Sequence, residues 1–294
     1  MIFPETLKGE GPILETVTKI ANDTFFGAIE VSWIKAPEVR LEVAKILEQA
    51  HMDIVYCGGP PILVQGLNLN ALDSTTRRKA VDSVKKLVDE AYALNAKILV
   101  VCSGPNPAGD KRREAKGLLV ESLKEVCRYA EEKTGDYTLL VSLENFDIEQ
   151  DKKLLIGPTD EAAEVAKAVK REYRNFGLTV DLSHLPLLKE TPEKAISAAG
   201  NYLEHAHVGN CVMKDKSSAL YGDMHPRFGV KGGENDVKEL TAFLVALKDN
   251  GYFSRKTATS LPVVSFEVKP SAGEASEAVI AGSKRVFLDA WAKM

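Results

Sequence analysis

The chain has 294 residues, 45% of them hydrophobic and 27% charged, with 21 Gly, 13 Pro and 4 Cys. Those fractions exclude a disordered, collagen-like or disulfide-scaffold protein, and the length suffices to bury a core without a structural metal. A formal net charge of −4 gives no electrostatic footprint for nucleic acid or an anionic membrane surface, so neither is expected as a partner.

Pro4, Glu5, Lys8 and Glu10 interrupt the start of the chain, which therefore carries no secretory apolar core. No stretch approaches the roughly 20 apolar residues of a membrane span. Cys57, Cys102, Cys127 and Cys211 are widely spaced with no CxxC pair, and a reducing, cytoplasmic location is expected.

From there, short β-rich apolar runs alternate with amphipathic stretches. The runs are Phe25–Trp33, Met52–Cys57, Lys97–Ser103, Tyr137–Glu144, Leu178–Asp181, His205–Val208 and Pro262–Val268, with a short eighth expected near Met1–Phe3. Ile98-Leu99-Val100-Val101 is continuously apolar, as parallel strands covered on both faces are. Between Ser74 and Leu94, Ala80, Val81, Val84, Leu87, Val88, Ala91 and Leu94 form one stripe at helical period. Thr191-Pro192 reads as an N-cap with Pro at the first helical position. Leu240, Phe243, Leu244 and Leu247 form another stripe, stopped by Asn250-Gly251, and a last helix is predicted from about Ser271 to Trp291.

No linker or composition shift cuts this series, so residues 1–294 are read as one domain. A doubly wound sheet would carry a Gly-rich phosphate loop after its first strand, and no GxGxxG, Walker A or GxSxG occurs. The predicted fold is α/β, a (β/α)8 TIM barrel.

The later strands end in polar residues: Glu144, Asp181, His207 and Glu267. In such a barrel the strand C-termini converge on one mouth. Three carboxylates and an imidazole gathered there would repel and desolvate one another unless a cation lay between them. One divalent ion is expected, with oxygen-rich ligation favouring Mn2+, Mg2+ or Co2+ and allowing Zn2+. His184, three residues after Asp181, and the long loop Asp223-Met-His225-Pro-Arg227 flank this set, and Arg227 could clamp a carboxylate, phosphate or hydroxyl-rich ligand. Asp223 and His225 could also ligate a second ion. His205, two residues before His207 on the same strand face, is read as a core or supporting residue.

Glu144 at a strand end, Asp181-x-x-His184, His207-Val-Gly-Asn210 and Phe266-Glu267-Val268 together resemble the xylose-isomerase-like TIM barrels over about Glu30–Lys269. That superfamily includes ketose 3-epimerases, hydroxypyruvate isomerases, inosose dehydratases and endonuclease IV. The resemblance to the epimerase branch implies that Glu144, Asp181, His207 and Glu267 bind one Mn2+-type ion. It also implies that Glu144 and Glu267 exchange a proton with a small sugar through an enediolate, and that His184 contacts substrate. A lyase or dehydratase working through the same enediolate is the alternative. Asp223-x-His225 also resembles endonuclease IV, but the histidines that family needs on two earlier strands are here Tyr56-Cys57-Gly58-Gly59 and Cys102-Ser103-Gly104. A carbohydrate substrate is therefore expected rather than DNA, with one metal bound and His225 and Arg227 serving the substrate. A homo-oligomer is compatible with the class.

Overall fold

Seven runs of β-branched and apolar residues find parallel partners, and the helical stretches between them cover the outside of the resulting sheet. The computed structural model describes residues 1–294. In chain order its elements are α1 (Ile13–Ala21), β1 (Ala28–Val31), α2 (Pro37–Gln49), β2 (Asp53–Cys57), α3 (Gly59–Val64), α4 (Ser74–Ala93), β3 (Ile98–Cys102) and α5 (Arg112–Glu132). They continue with β4 (Leu140–Glu144), α6 (Thr159–Val169), β5 (Phe176–Asp181), α7 (Leu185–Leu188), α8 (Pro192–Ala199), β6 (Leu203–Val208), α9 (Val237–Asp249), β7 (Val264–Phe266) and α10 (Ser276–Trp291). The strand order is β1-β2-β3-β4-β5-β6-β7, every pair parallel. This is a TIM barrel, nearly closed.

The sheet is buried most deeply in its middle. Every residue of β3, β4 and β5 is buried, whereas β7 has none and β1 only Val31. β1 and β7 lie side by side without a backbone ladder between them. Aromatic rings bridge that side instead: Phe25 stacks on Phe266 at 6.1 Å, and Phe266 meets Phe287 of α10 edge to face at 5.7 Å.

The expected eighth strand is absent. Met1–Phe3 pairs with nothing as a strand, and the chain enters a single 3-10 turn at Pro4–Thr6, whose proline has no N–H to give a ladder. Two other local expectations hold. The α4 stripe is the buried face of that helix, and Thr191 Oγ1 accepts a hydrogen bond from the N–H of Lys194 at the start of α8. The last helix begins at Ser276, five residues later than predicted. Cys211 lies in a buried loop just after β6, and all four cysteines are free thiols. No helix is long and apolar enough to cross a membrane.

Candidate active site

Strand register assembles the site. Asp181 and His207 are direct partners across β5 and β6, Glu144 closes β4, and Glu267 follows β7 by one residue. One ligand atom from each of Glu144, Asp181, His207 and Glu267 lies within 4.8 Å of all the others. Glu144, Asp181 and His207 are almost fully buried, and Glu267 is the most open, with 18% of its side chain exposed.

Contacts in this cluster are close but poorly aligned. His207 Nδ1 donates to Glu144 Oε1 at 3.1 Å. Glu267 Oε2 lies 2.7 Å from the same nitrogen yet is buried without a hydrogen bond of acceptable geometry. Side chains that satisfied one another would align; donors aimed at a shared point do not. The orphaned Glu267 oxygen and the three-carboxylate, one-imidazole set fit a divalent cation held between them.

Electrostatics among these side chains point the same way. Burial raises the Glu144 carboxyl, His207 opposes and Glu267 adds to the rise, and the result is about 7. Burial also pushes Glu267 up, but His225 and His207 together outweigh it and pull the carboxyl down to about 2. For His207 burial favours the neutral ring, yet Glu30, Glu144 and Glu267 hold it well above its ordinary value. Protons thus occupy a charge-dense pocket in which a cation would do the same service.

A second cluster adjoins the first. Asp223 Oδ1 lies 2.7 Å from His225 Nε2 and 3.2 Å from His184 Nε2, and Asp181 Oδ2 is 3.6 Å from His184 Nε2. Here too Asp223 Oδ1 and His184 Nε2 are buried without an aligned partner. His184 Nδ1 donates to the carbonyl of Asn145 at 2.9 Å, and its ring packs on Phe146 with centroids 4.4 Å apart. Against the opposing effect of burial, Asp223 and then Glu267 raise His225 to about 9. His225 also has φ of 50°, a left-handed backbone rare for a residue with a Cβ, of the kind found at functional sites. Its Nδ1 lies 3.1 Å from the carbonyl of Glu267, tying this loop to the end of β7. Gly209 makes that approach possible, because a Cβ there would sit 2.4 Å from the same carbonyl.

The structure brings six of the seven expected site residues together and leaves out Arg227. Its guanidinium turns away to Glu274, with Nε to Oε1 2.7 Å, and is half exposed beside α10. Neighbourhood in sequence to His225 did not fix its direction: the Arg227 guanidinium donates to Glu274 and to the carbonyl of Phe228 instead.

Three residues at the site were not singled out from the sequence. Glu30, in the middle of β1, pairs with His205 and His207, and a lone carboxylate inside Ala-Ile-Glu-Val was the available signal. Asp147 accepts from the N–H groups of Gln150, Asp151 and Lys152, folding that loop so that Lys152 Nζ reaches Asp223 Oδ2 at 3.1 Å. Neither Asp147 nor Lys152 differs in sequence from ordinary loop residues.

A sequence profile described as the xylose isomerase-like TIM barrel matches residues 21–279. The chain belongs to that family. Solved structures share the fold at low identity. The IOLI protein, whose structure holds a zinc atom, has 19% identity over 95% of this chain and 93% of its own, with a TM-score of 0.72. D-psicose 3-epimerase from Clostridium cellulolyticum H10 has 19% identity over 95% and 94%, with a TM-score of 0.66. An AP endonuclease of family 2 from Brucella melitensis has 19% identity over 92% of both chains, with a TM-score of 0.64. No curated protein matches by sequence.

Proposed function

We propose that this protein is a divalent-metal-dependent isomerase or epimerase of a small sugar or sugar derivative. Glu144, Asp181, His207 and Glu267 hold one ion, and Glu144 and Glu267 serve as the acid/base pair. The observation that carries this reading is the convergence of those four side chains at the strand ends, with the buried Glu267 Oε2 left unpartnered. The family match and the epimerases among the solved structures support the same class.

When bound, the ion polarises a substrate carbonyl and offsets the charge of the enediolate left by proton removal. The chain's own residues do the rest. Glu144 ends β4 and Glu267 follows β7, so their carboxylates reach the mouth from different sides of the barrel. A carbon between them can give its proton to one and take a proton from the other on the opposite face. Burial keeps bulk water from competing for that proton. His184 and His225, both tethered to Asp223, form the polar wall beside the pair and contact substrate hydroxyls. Arg227 has no part in this reading, since Glu274 holds it outside the cluster.

The test is turnover of a ketose panel by protein loaded with Mn2+, Co2+, Mg2+ or Zn2+ in D2O, with products identified by NMR. An isomeric product carrying solvent-derived deuterium at the altered carbon is expected. Glu144→Gln and Glu267→Gln should each lower kcat by about 10^2- to 10^4-fold. Release of water or of a glycosidic leaving group would overturn the isomerase reading in favour of a lyase.

A further inference from the structure

Beneath the mouth lies a carboxylate that the four-residue set does not include. Glu30 Oε2 is 2.9 Å from His207 Nε2, the ring edge opposite the one that faces Glu144 and Glu267. The same oxygen is 3.0 Å from His205 Nε2. The two imidazoles meet edge to face with centroids 4.7 Å apart, and Ser265 Oγ lies 3.3 Å from His205 Nε2. One carboxylate oxygen therefore accepts N–H bonds from two neighbouring rings inside the barrel. Its other oxygen, Oε1, is buried without a partner.

An apolar side chain at this point of β1 would fill the layer without desolvating a charge. The carboxylate instead fixes which nitrogen of His207 keeps its proton when the ring gives one up to an ion. A ring whose Nε2–H is committed to Glu30 then presents the lone pair of Nδ1 toward Glu144, Asp181 and Glu267. Carboxylates behind metal-bound imidazoles act in this way, orienting the ring and raising its donor strength.

We propose that Glu30 is a positioning residue for the ion centre: it sets the tautomer and orientation of His207, with His205 bracing it from below. The proposal rests on the reading of His207 as a ligand. Glu30 itself stays outside the donor set, because the His207 ring stands between it and the other carboxylates.

The test is titration with Co2+, followed by visible absorption, of the wild type, Glu30→Gln and Glu30→Asp, with circular dichroism of the metal-free proteins as the fold control. The wild type should take one Co2+. Glu30→Gln should bind it about 10- to 100-fold more weakly and show displaced bands at saturation. Glu30→Asp, which keeps the charge, should move the bands back toward those of the wild type. Wild-type affinity and spectrum in Glu30→Gln would overturn the role of Glu30 and leave the four-residue centre standing. A folded wild type that takes no Co2+ would sink the ion reading itself, and the role of Glu30 with it. Histidine 15N NMR of the Zn2+-loaded wild type reads the tautomer without any variant. A proton on His207 Nε2 is expected, and a proton on Nδ1 would overturn the proposal.

Discussion

His225 and Glu144 keep protons, in the ion-free site, at pH values where free side chains would have lost them. Glu144 stands near 7 instead of 4.5, and His225 near 9 instead of 6.5. A group raised by folding contributes stability that is complete below its unfolded pKa and lost as pH climbs through the folded one. Glu267, lowered to about 2, works the other way: its contribution is present above 4.5 and is lost only as pH falls through 2. Glu144 contributes to the loss from pH 4.5 to about 7 and His225 from pH 6.5 to about 9, the two overlapping only near pH 7. The metal-free protein should therefore melt at progressively lower temperature from pH 6.5 to pH 9. Calorimetry across that range in the presence of a chelator checks this, and a flat or rising profile would contradict it. The residues behind this behaviour were mostly legible in the sequence, since a carboxylate or imidazole ending an apolar strand has few structural reasons to be there. Glu30 was less visible because it sits mid-strand, and alternation alone does not say whether such a residue points inward or into solvent. Arg227 was misdirected by its neighbours: two residues of loop after His225 turn it onto Glu274.

The strands and helices place these groups, and their limits explain what pattern reading captured and what it missed. Register follows broadly from the parallel apolar runs, but between β5 and β6 it shifts after Leu178, and that irregularity is what puts Asp181 opposite His207. Element bounds were overestimated because apolar residues continue into the turns, so Glu267 lies just beyond β7 rather than within it. The eighth strand was overread from three apolar residues, too few to hold a ladder once Pro4 follows. Gly209 shows how tightly the ends of β6 and β7 are fitted. A methyl there would lie 2.4 Å from the carbonyl of Glu267 and 3.2 Å from His225 Nδ1. Gly209→Ala should cost about 1–3 kcal/mol by overpacking and should weaken ion binding by displacing Glu267. Gly282, in the middle of α10, offers the contrast, since a methyl at its Cα would meet no atom within 4 Å. Gly282→Ala should therefore stabilise by about 0.5–1 kcal/mol, and denaturant unfolding of the two variants compares them directly.

Across the whole molecule, the barrel is unevenly secured. β3, β4 and β5 are wholly buried and laddered on both sides, while β1 and β7 face each other over a seam bridged by Phe25, Phe266 and Phe287. The proposed ligands are divided across this gradient, with Glu144 and Asp181 on the firm strands and Glu267 at the loose edge. An ion shared among them would act as a rivet between the two regions. Amide exchange should register it: without metal, β7 and β1 should exchange well before β4, and added Mn2+ or Zn2+ should slow β7 far more than β4. Equal slowing everywhere would mean that the ion stabilises only the global fold. A barrel built this way would open along one line, letting the fourth ligand swing clear while the other three keep their places.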